Sequence, residues 1–280
     1  MIALVLATIL TGAFGIVVRF GQKRNGDLYT IGVVNYAVAS LVFLPILKLH
    51  PPPTISSHTV LVGVFGGVLY ATAYYLFLPV LRSRGVAIGT AVARVSVLMP
   101  MLLSLLVWHE APSPLRAVGA LLAFAALPLL AMGRLEGTPR QPPSRELLVL
   151  AALFISNGAC LCVSKWYHAT GTVLERPAYF MVLFGVAALY TGTAWVLCSR
   201  RVDPADLATG VVLGVMNAFA NFALLSALDA FSGVVVFPVT AAGGLVFAVL
   251  FAALWWRELP SRWGALGVVL AVLAVVLVNL

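Results

Sequence analysis

Apolar residues fill long runs along this 280-residue chain, and short polar or Pro-rich stretches separate the runs. Helices that are apolar on every face are stable in lipid, and each crossing of a hydrocarbon layer about 30 Å thick needs roughly 20 such residues. The pattern therefore predicts an all-α membrane protein with ten transmembrane helices. They are expected at residues 1–20, 29–48, 59–80, 85–107, 115–133, 146–167, 178–198, 206–227, 231–254 and 261–280.

Two of the predicted breaks, at 81–84 and 228–230, are tight. One long kinked helix is an alternative at each, but Arg82 and Arg84 favour a turn at the membrane interface. The first run has no positively charged start and no small-residue cleavage site before a soluble domain. We therefore interpret it as a membrane span and not as a signal peptide.

Composition supports the same class, because 62% of the residues are hydrophobic and only 9% are charged. Soluble domains carry about 25% charged residues. The net charge of +8 comes from Lys and Arg scattered through short loops, which is typical of topology determinants and not of a nucleic-acid surface. Cys160, Cys162 and Cys198 fall inside predicted spans, and we expect buried thiols with no disulfide, no metal and no cofactor.

The chain resembles itself at an offset of 148 residues. Residues 85–128 align without a gap on residues 233–276, with 14 identities in 44 positions. Leu and Ala matches follow from composition, but a shared W-x-E-x-P-S core does not. This core begins at Trp108 in the first copy and at Trp256 in the second.

The repeat divides the chain into two five-helix units, residues 1–133 and 146–280, joined by a polar linker at 134–145. An odd number of spans per unit makes the second unit enter from the opposite side, and inverted repeats of this kind recur in secondary transporters. Two such halves can expose one site to either side in turn. Duplication for stability alone is the alternative, since channels also contain inverted repeats.

Both copies of the W-x-E-x-P-S core are followed by an apolar span with an early glycine, Gly119 and Gly267. In this motif, the span number and the repeat plan, the chain resembles the drug/metabolite transporter superfamily, in particular its ten-span EamA-like members. The resemblance implies export or exchange of small metabolites by alternating access. Family members move amino acids, sugars, nucleotide sugars and drugs, so the substrate does not follow from the resemblance.

The distribution of Lys and Arg predicts an orientation. Odd-numbered loops hold eleven of these residues and even-numbered loops hold four, which puts the odd loops in the cytoplasm. Both termini are then outside the cell (inner) membrane. The family resemblance implies the opposite orientation, and we expect the charge count to decide.

Arg94 lies near the middle of the predicted fourth span, and no Asp or Glu lies mid-span in the sequence. A charge at that depth is unfavourable by at least about 2.5–3.5 kcal/mol. The functional interpretation is an anchor for a carboxylate or phosphate of the substrate. The structural alternative is a guanidinium bonded to backbone carbonyls, or one nearer the interface.

Other polar side chains within spans are expected to face the bundle, because hydrocarbon offers them no partner. Asn217 and Asn221 share a helix face, as do Tyr70 and Tyr74. The alternative for each residue is hydrogen bonding that only holds helices together. As a set they predict a central amphipathic pocket for a small-molecule substrate. The remaining candidates are Asn35, Tyr36, Asn157, Tyr190 and Trp195.

Several charged and helix-bending residues complete the set of candidates. Lys165 and Arg19 close matching spans, where snorkelling to the interface is the expected behaviour. Glu110 and Glu258 are expected to structure loops, with Arg116 and Arg262 as candidate partners. Two prolines interrupt helical hydrogen bonding on spans four and nine and are our candidates for gating: Pro100 and Pro238.

The leading function is a secondary transporter that works as a monomer or homodimer. No P-loop of the type that binds ATP occurs in the sequence. The alternatives are a channel or a non-transporting scaffold. A membrane-embedded enzyme is the least favoured class, because the four histidines lie scattered at span ends or in loops.

Overall fold

The computed structural model describes residues 1–132, 144–198, 202–255 and 262–279, and the regular structure in these residues is helical. A short 3-10 turn, Val173–Glu175, precedes the eighth helix. The helices in chain order are α1 Ile2–Lys23, α2 Leu28–Leu41, α3 Phe43–Leu49, α4 Ser57–Val95, α5 Leu98–Leu106, α6 Pro114–Met132, α7 Ser144–Thr170, α8 Arg176–Cys198, α9 Pro204–Ala227, α10 Gly233–Trp255 and α11 Arg262–Asn279.

Ten apolar helical segments follow one another through the described residues. Five are long and apolar enough to cross a membrane: Leu28–Leu49, Ser57–Val80, Leu148–Thr170, Val173–Cys198 and Pro204–Ala227. Five are shorter apolar helices: Ile2–Val18, Val92–Leu106, Pro114–Ala126, Gly233–Ala248 and Ala265–Ala274. Their order matches that of the ten runs predicted from the sequence.

Short polar side chains start several of the helices. The carboxylate of Asp27 accepts a hydrogen bond from the Thr30 backbone at 3.1 Å and begins α2. Ser56 begins α4 by accepting from the Thr59 backbone at 3.2 Å. Each cap satisfies a backbone N–H that has no partner within its own helix.

Prolines mark the two places where a predicted span is divided. α2 ends at Leu41 and α3 begins at Phe43, two residues before Pro45. The break between α4 and α5, at residues 96–97, lies just before Pro100. A proline has no N–H to donate to the carbonyl four residues earlier, and its ring crowds that carbonyl. The predicted helix interruption at Pro100 is therefore present, whereas α10 continues through Pro238.

The expected interfacial turn at 81–84 is wrong, because α4 is one helix from Ser57 to Val95. Charge governs how deep a residue sits in a membrane, but it does not end a helix. Arg is a good helix former, and residues 81–84 contain neither Gly nor Pro. The fourth predicted span therefore consists of the end of α4 and the whole of α5.

Two helix pairs, each of which joins one half of the chain to the other, pack closely through small residues in a corresponding way. A Cβ on Gly67 of α4 would collide with the carbonyl oxygen of Leu183 in α8. A Cβ on Gly214 of α9 would collide with the carbonyl oxygen of Asn35 in α2. Leu183 lies 148 positions after Asn35, and Gly214 lies 147 positions after Gly67. Close backbone contact of this kind is typical of membrane helix pairs.

Helices from both halves interdigitate around a common core. α2 packs on α8 and α9, α4 packs on α7 and α8, and α1 packs on α9 and α10. α6 and α11 pack on each other. Three stacked rings occupy the centre, with the Phe43 ring centroid 5.3 Å from that of Phe180 and 6.4 Å from that of Phe184. The two sequence halves thus form one body and not two separate bundles.

Candidate functional site

Four of the predicted polar residues form one hydrogen-bonded chain across α4, α9 and α2. The Tyr70 hydroxyl donates to Asn221 Oδ1 at 2.7 Å, and Asn221 Nδ2 donates to Asn217 Oδ1 at 2.8 Å. Asn217 Nδ2 then donates to Asn35 Oδ1 at 3.3 Å. We call these four residues the central polar chain. It joins the first half of the sequence to the second.

Two further tyrosines of the predicted set, Tyr36 and Tyr74, lie against this chain. The Tyr36 hydroxyl donates to the Tyr70 carbonyl at 3.1 Å, and the Tyr36 ring lies edge-on to Tyr74 with centroids 5.9 Å apart. Tyr74 donates to the Leu28 carbonyl. The Phe184 ring stacks on Tyr36 at 6.3 Å. Six of the ten predicted site residues are therefore brought together. The hydroxyl groups of the three tyrosines among them all donate hydrogen bonds.

A small cavity lies beside the central polar chain and reaches Asn35 and Tyr74. Its volume is about 40 Å³. Since one water needs roughly 10–15 Å³, the cavity has room for about three waters or a short apolar group. The lining comes from α1, α2, α4 and α9: Phe14, Val18, Gly21, Leu28, Ile31, Asn35, Tyr74, Phe77, Leu78, Thr209 and Leu213.

Three predicted residues make no hydrogen bond to the central polar chain among the described residues. Tyr190 is 40% exposed, and its ring lies 5.8 Å from that of Tyr75. Trp195 Nε1 donates to Thr30 Oγ1 at 2.9 Å, near the start of α2. Among the described residues, Asn157 of α7 makes no side-chain hydrogen bond. Position within a span therefore did not determine which polar residues meet.

Arg94 lies between α1 and α10 and not at the central polar chain. Its Nη2 donates to the Thr11 carbonyl oxygen at 3.1 Å. A Cβ on Gly244 would lie 3.4 Å from both terminal nitrogens of the guanidinium, so the group rests against the backbone of α10. Part of the hydrogen-bonding capacity of Arg94 thus goes to a backbone carbonyl, as the structural alternative predicted.

A buried ion pair, missed in the sequence, ties the two halves together near the ends of α5, α7 and α10. Lys165 Nζ donates to Glu110 Oε1, and the Gly233 backbone donates to Glu110 Oε2 at 2.7 Å. The Lys165 ammonium also lies over the Trp108 ring, 5.7 Å from its centroid. The Lys165 side chain is 1% exposed and that of Glu110 is 24% exposed. We call Glu110, Lys165 and Gly233 the loop latch.

The loop latch corrects two expectations. Lys165 does not snorkel to the interface, because a carboxylate from the other half of the chain neutralises it inside the protein. Glu110 pairs with Lys165 and not with Arg116, whose guanidinium lies 5.5 Å above the Phe231 ring. The sequence did contain one signal, since Glu110 belongs to the repeated W-x-E core. Glu258, its counterpart, and the side chain of Arg19 lie outside the part of the chain that the structure describes.

The same end of the molecule holds a second charged group. Arg176 donates from Nη1 and Nη2 to the two carboxylate oxygens of Asp229, at 2.7 and 2.6 Å. His168 Nε2 lies 3.1 Å from Asp229 Oδ1. The hydrogen bonds from Arg176 hold the pKa of Asp229 below its ordinary value. This group joins residues 228–232 to the start of α8 and the end of α7.

Hydrogen bonds between loops define two ends of the structure. At one end Glu175 accepts from the Ser56 hydroxyl at 2.6 Å, so residues 171–175 lie beside residues 50–56. This end, which also holds the loop latch and Asp229, is the even-loop end. At the other end the Asp27 backbone donates to Asp206 Oδ2 at 2.8 Å, which joins the starts of α2 and α9. We call this the odd-loop end.

Comparisons with known proteins agree with this architecture. Residues 1–132 match the model of the EamA-like transporter family. An uncharacterized protein of Haemophilus influenzae is 24% identical over 211 residues, which are 75% of this chain and 72% of that relative. A crystal structure of a protein superposes with a TM-score of 0.75 over 99% of this chain and 94% of that chain. At 14% sequence identity, this last likeness concerns the fold alone.

Proposed function

We propose, from the premise that this chain belongs to the EamA-like members of the drug/metabolite transporter superfamily, that it moves a small metabolite across the cell membrane by alternating access. Members of the family are multi-pass membrane transporters and not enzymes, and the apolar helices described above fit that class. We further propose an inverted repeat, a solute pathway between its two halves, and export or exchange as the direction of transport.

The central polar chain is the observation that carries the proposal. Polar side chains in membrane helices are rare, face the interior of the bundle and mark solute pathways. Here Asn35 and Tyr70 come from the first half, whereas Asn217 and Asn221 come from the second. Because the chain crosses between the halves, a movement of one half against the other would break or rearrange its hydrogen bonds. This is the property that a site exposed to each side in turn requires.

The packing of the helices supports two related halves. α4 packs on α8 as α9 packs on α2, and α1 packs on α9 as α7 packs on α4. In both comparisons, replacing each helix of one pair by its counterpart in the aligned sequence copy gives the other pair. The direction of the chain supports an inverted arrangement, because α1 finishes near the odd-loop end and α7 finishes near the even-loop end. We therefore propose that the chain consists of two five-helix halves of opposite orientation, residues 1–133 and 146–280.

The charge count places the odd-loop end in the cytoplasm and both termini outside. The cavity has Gly21, Leu28 and Thr209 in its lining, within two helical turns of Asp27 or Asp206. In this orientation the cavity lies nearer the cytoplasm, where an exported solute would enter. A reporter fused to the C-terminus that is active only in the cytoplasm tests the assignment, since activity would reverse it.

The substrate is proposed to be a small metabolite, either anionic or amino-acid-like. Arg94 is the proposed anchor for an anionic group, and Tyr190 and Trp195 are proposed to line the route that leads to the central polar chain. Pro100 and Pro238 are proposed hinges, so Pro100→Ala and Pro238→Ala are expected to slow transport while leaving binding unchanged. The transporter is expected to act as a monomer or homodimer.

A ligand screen followed by transport assays tests the proposed function. Thermal stabilisation of the purified protein by amino acids, sugars, nucleotide sugars and organic anions identifies a candidate solute, and Arg94→Ala shows whether stabilisation by anions depends on that residue. Asn221→Leu is then compared with Asn157→Leu in proteoliposomes. We expect the first variant to lose most of the uptake and the second to keep it. Equal uptake by both variants would remove the central polar chain from the pathway.

A further inference from the structure

Two buried tyrosines that were not among the predicted site residues stack on each other near the even-loop end. The ring centroids of Tyr167 on α7 and Tyr179 on α8 lie 3.8 Å apart, and the rings are within 5° of parallel. The Tyr167 hydroxyl lies 3.3 Å from Thr59 Oγ1 of α4. A Cβ on Gly63 of α4 would lie 3.3 Å from the Tyr179 carbonyl oxygen. We call Tyr167 and Tyr179 the tyrosine stack; it lies where the second half of the chain packs on the first.

Polar groups lead from the even-loop end to the outer side of the tyrosine stack. Glu175 accepts from the Ser56 hydroxyl at 2.6 Å, and Ser56 Oγ lies 3.1 Å from Thr59 Oγ1. Thr59 in turn contacts the Tyr167 hydroxyl. A file of oxygen atoms therefore connects the loops at this end with the first ring of the stack.

Polar groups also join the inner side of the tyrosine stack to the central polar chain. Ser164 Oγ lies 3.4 Å from the Tyr70 hydroxyl, which donates to Asn221. Tyr179 interacts electrostatically with both Tyr70 and Ser164. The stack therefore lies between the central polar chain and the even-loop end, with oxygen atoms on either side of two aromatic rings.

The aligned position in the other half has different surroundings. At the offset of 148 residues Tyr179 corresponds to Ile31, just as Glu175 corresponds to Asp27. Ile31 lines the cavity described above, whereas Tyr179 packs face to face on Tyr167. When one repeat moves against the other around a fixed site, the two ends of the molecule exchange their open and closed arrangements. A cavity beside one copy and a ring stack at the other is the difference that a closed even-loop end predicts.

We propose that the tyrosine stack is the barrier that closes the solute pathway toward the even-loop end. Tyr167 and Tyr179 are 1% and 0% exposed, and their stacked rings fill the interface with apolar surface that excludes water. For a solute to pass from the central polar chain to this end, the two rings must separate from each other or from α4. The inference rests on the proposed function, since it takes the central polar chain to be part of a pathway.

A native thiol on the inner side of the tyrosine stack reports whether the barrier is closed. Cys160 precedes Tyr167 by seven residues on α7, which places it about 10 Å deeper in the bundle. Cys160 is 4% exposed, and its carbonyl accepts from the Ser164 hydroxyl at 3.2 Å. Only the thiolate reacts, so labelling requires water and reagent to reach the sulfur. Cys162→Ser combined with Cys198→Ser leaves Cys160 as the single cysteine of the chain.

Labelling from one side at a time tests the barrier. A membrane-impermeant methanethiosulfonate is added to one face of sealed vesicles that hold the single-cysteine protein. Val173→Cys, made in a protein without the native cysteines, identifies the even-loop side, because Val173 is 63% exposed in that loop. We expect Cys160 to be protected from this side. Tyr179→Leu and Tyr167→Leu should each raise the labelling rate from this side by about tenfold or more, since each removes a ring from the stack.

Two control variants separate the barrier from general loosening of the fold. Tyr179→Phe keeps the ring and removes the hydroxyl, so Cys160 should stay protected. Phe43→Leu shortens another buried ring, one that stacks on Phe180 at 5.3 Å, and should also leave Cys160 protected.

Three results would overturn the barrier: unchanged labelling in both Leu variants of the tyrosine stack, an equal increase from the two sides, or rapid labelling from the even-loop side while the stack is intact. Because the assay needs no solute, it is independent of transport. A side-specific increase in a protein that gives no counterflow would support the barrier and refute the proposed carrier function.

Discussion

Replacement of Glu110 by Gln should destabilise the protein through an unpaired charge on Lys165. The Lys165 side chain is 1% exposed, and Glu110 is its counter-ion. Breaking a fully buried pair by removing one partner is unfavourable by about 3–5 kcal/mol. The Glu110 side chain is 24% exposed, so in the variant water reaches this position and reduces the loss of stability. We therefore expect Glu110→Gln to lower the free energy of unfolding by about 2–3 kcal/mol.

Replacement of the other partner, Lys165, should lower the free energy of unfolding by less. Lys165→Met removes the buried ammonium and leaves Glu110 partly hydrated, with the Gly233 backbone still donating to it. We expect a loss of about 1 kcal/mol, and a similar loss for the double variant, because a buried ion pair replaced on both sides is often neutral in stability. The two single effects would then exceed the effect of the double variant. Their difference is the coupling energy of the pair.

Unfolding of the four proteins in mixed micelles with increasing denaturing detergent measures this cycle. The unfolded fraction is followed by tryptophan fluorescence, and Arg116→Gln serves as the control for removing a charge at the same end. Strict additivity, or a Glu110→Gln protein within about 0.5 kcal/mol of wild type, would show that the loop latch does not stabilise the fold.

Three further predictions concern other parts of the structure. Tyr70→Phe removes the first donor of the central polar chain and should lower stability by about 1–2 kcal/mol in the same unfolding assay. Asp229→Asn should lower the melting temperature at pH 7. The difference from wild type should begin to shrink only below about pH 4, the ordinary pKa of Asp, and should disappear once the pH is below the pKa that Arg176 lowers, because the carboxylate stabilises the fold only while ionised. Gly67→Ala, which places a methyl group against a carbonyl of α8, should lose about 1–3 kcal/mol, whereas Gly15→Ala, with open space around the new Cβ, should be neutral or stabilising.

The apolar segments could be predicted from the sequence because burial in lipid is a property of each segment by itself. Ten runs were expected, and ten apolar helical segments follow in the same order. The error at 81–84 came from treating charge as a helix terminator. The interruptions actually observed lie just before Pro45 and Pro100, where a missing N–H leaves a carbonyl without its helical partner.

The polar site could be predicted only where the signal was local. The spacing of Asn217 and Asn221 predicted that they share a helix face, and their side chains do bond to each other. No comparable signal indicated that Asn157 would form no hydrogen bond to the central polar chain, because position along a helix does not specify which neighbour the residue meets. The partner of Lys165 lies 55 positions earlier, in the other half. Such pairs depend on tertiary packing and are invisible to a reading of one segment at a time.

Arg94 illustrates the same limit for function. Its depth in an apolar run correctly indicated that it needs acceptors, and the structure supplies the Thr11 carbonyl. Depth alone did not distinguish a backbone acceptor from a substrate carboxylate, because a guanidinium satisfies its donors with either. The distinction requires a ligand, and comparison of Arg94→Ala with wild type in the solute screen provides it.

Counterflow in proteoliposomes tests most directly whether this protein carries a solute between two halves that open in turn. Vesicles are loaded with an excess of the unlabelled solute found in the screen and diluted into a trace of the labelled form. A carrier predicts transient accumulation of label, saturation with external solute and acceleration by solute on the opposite side. A flux that stays proportional to concentration and ignores the solute inside would indicate an open channel and would contradict the account.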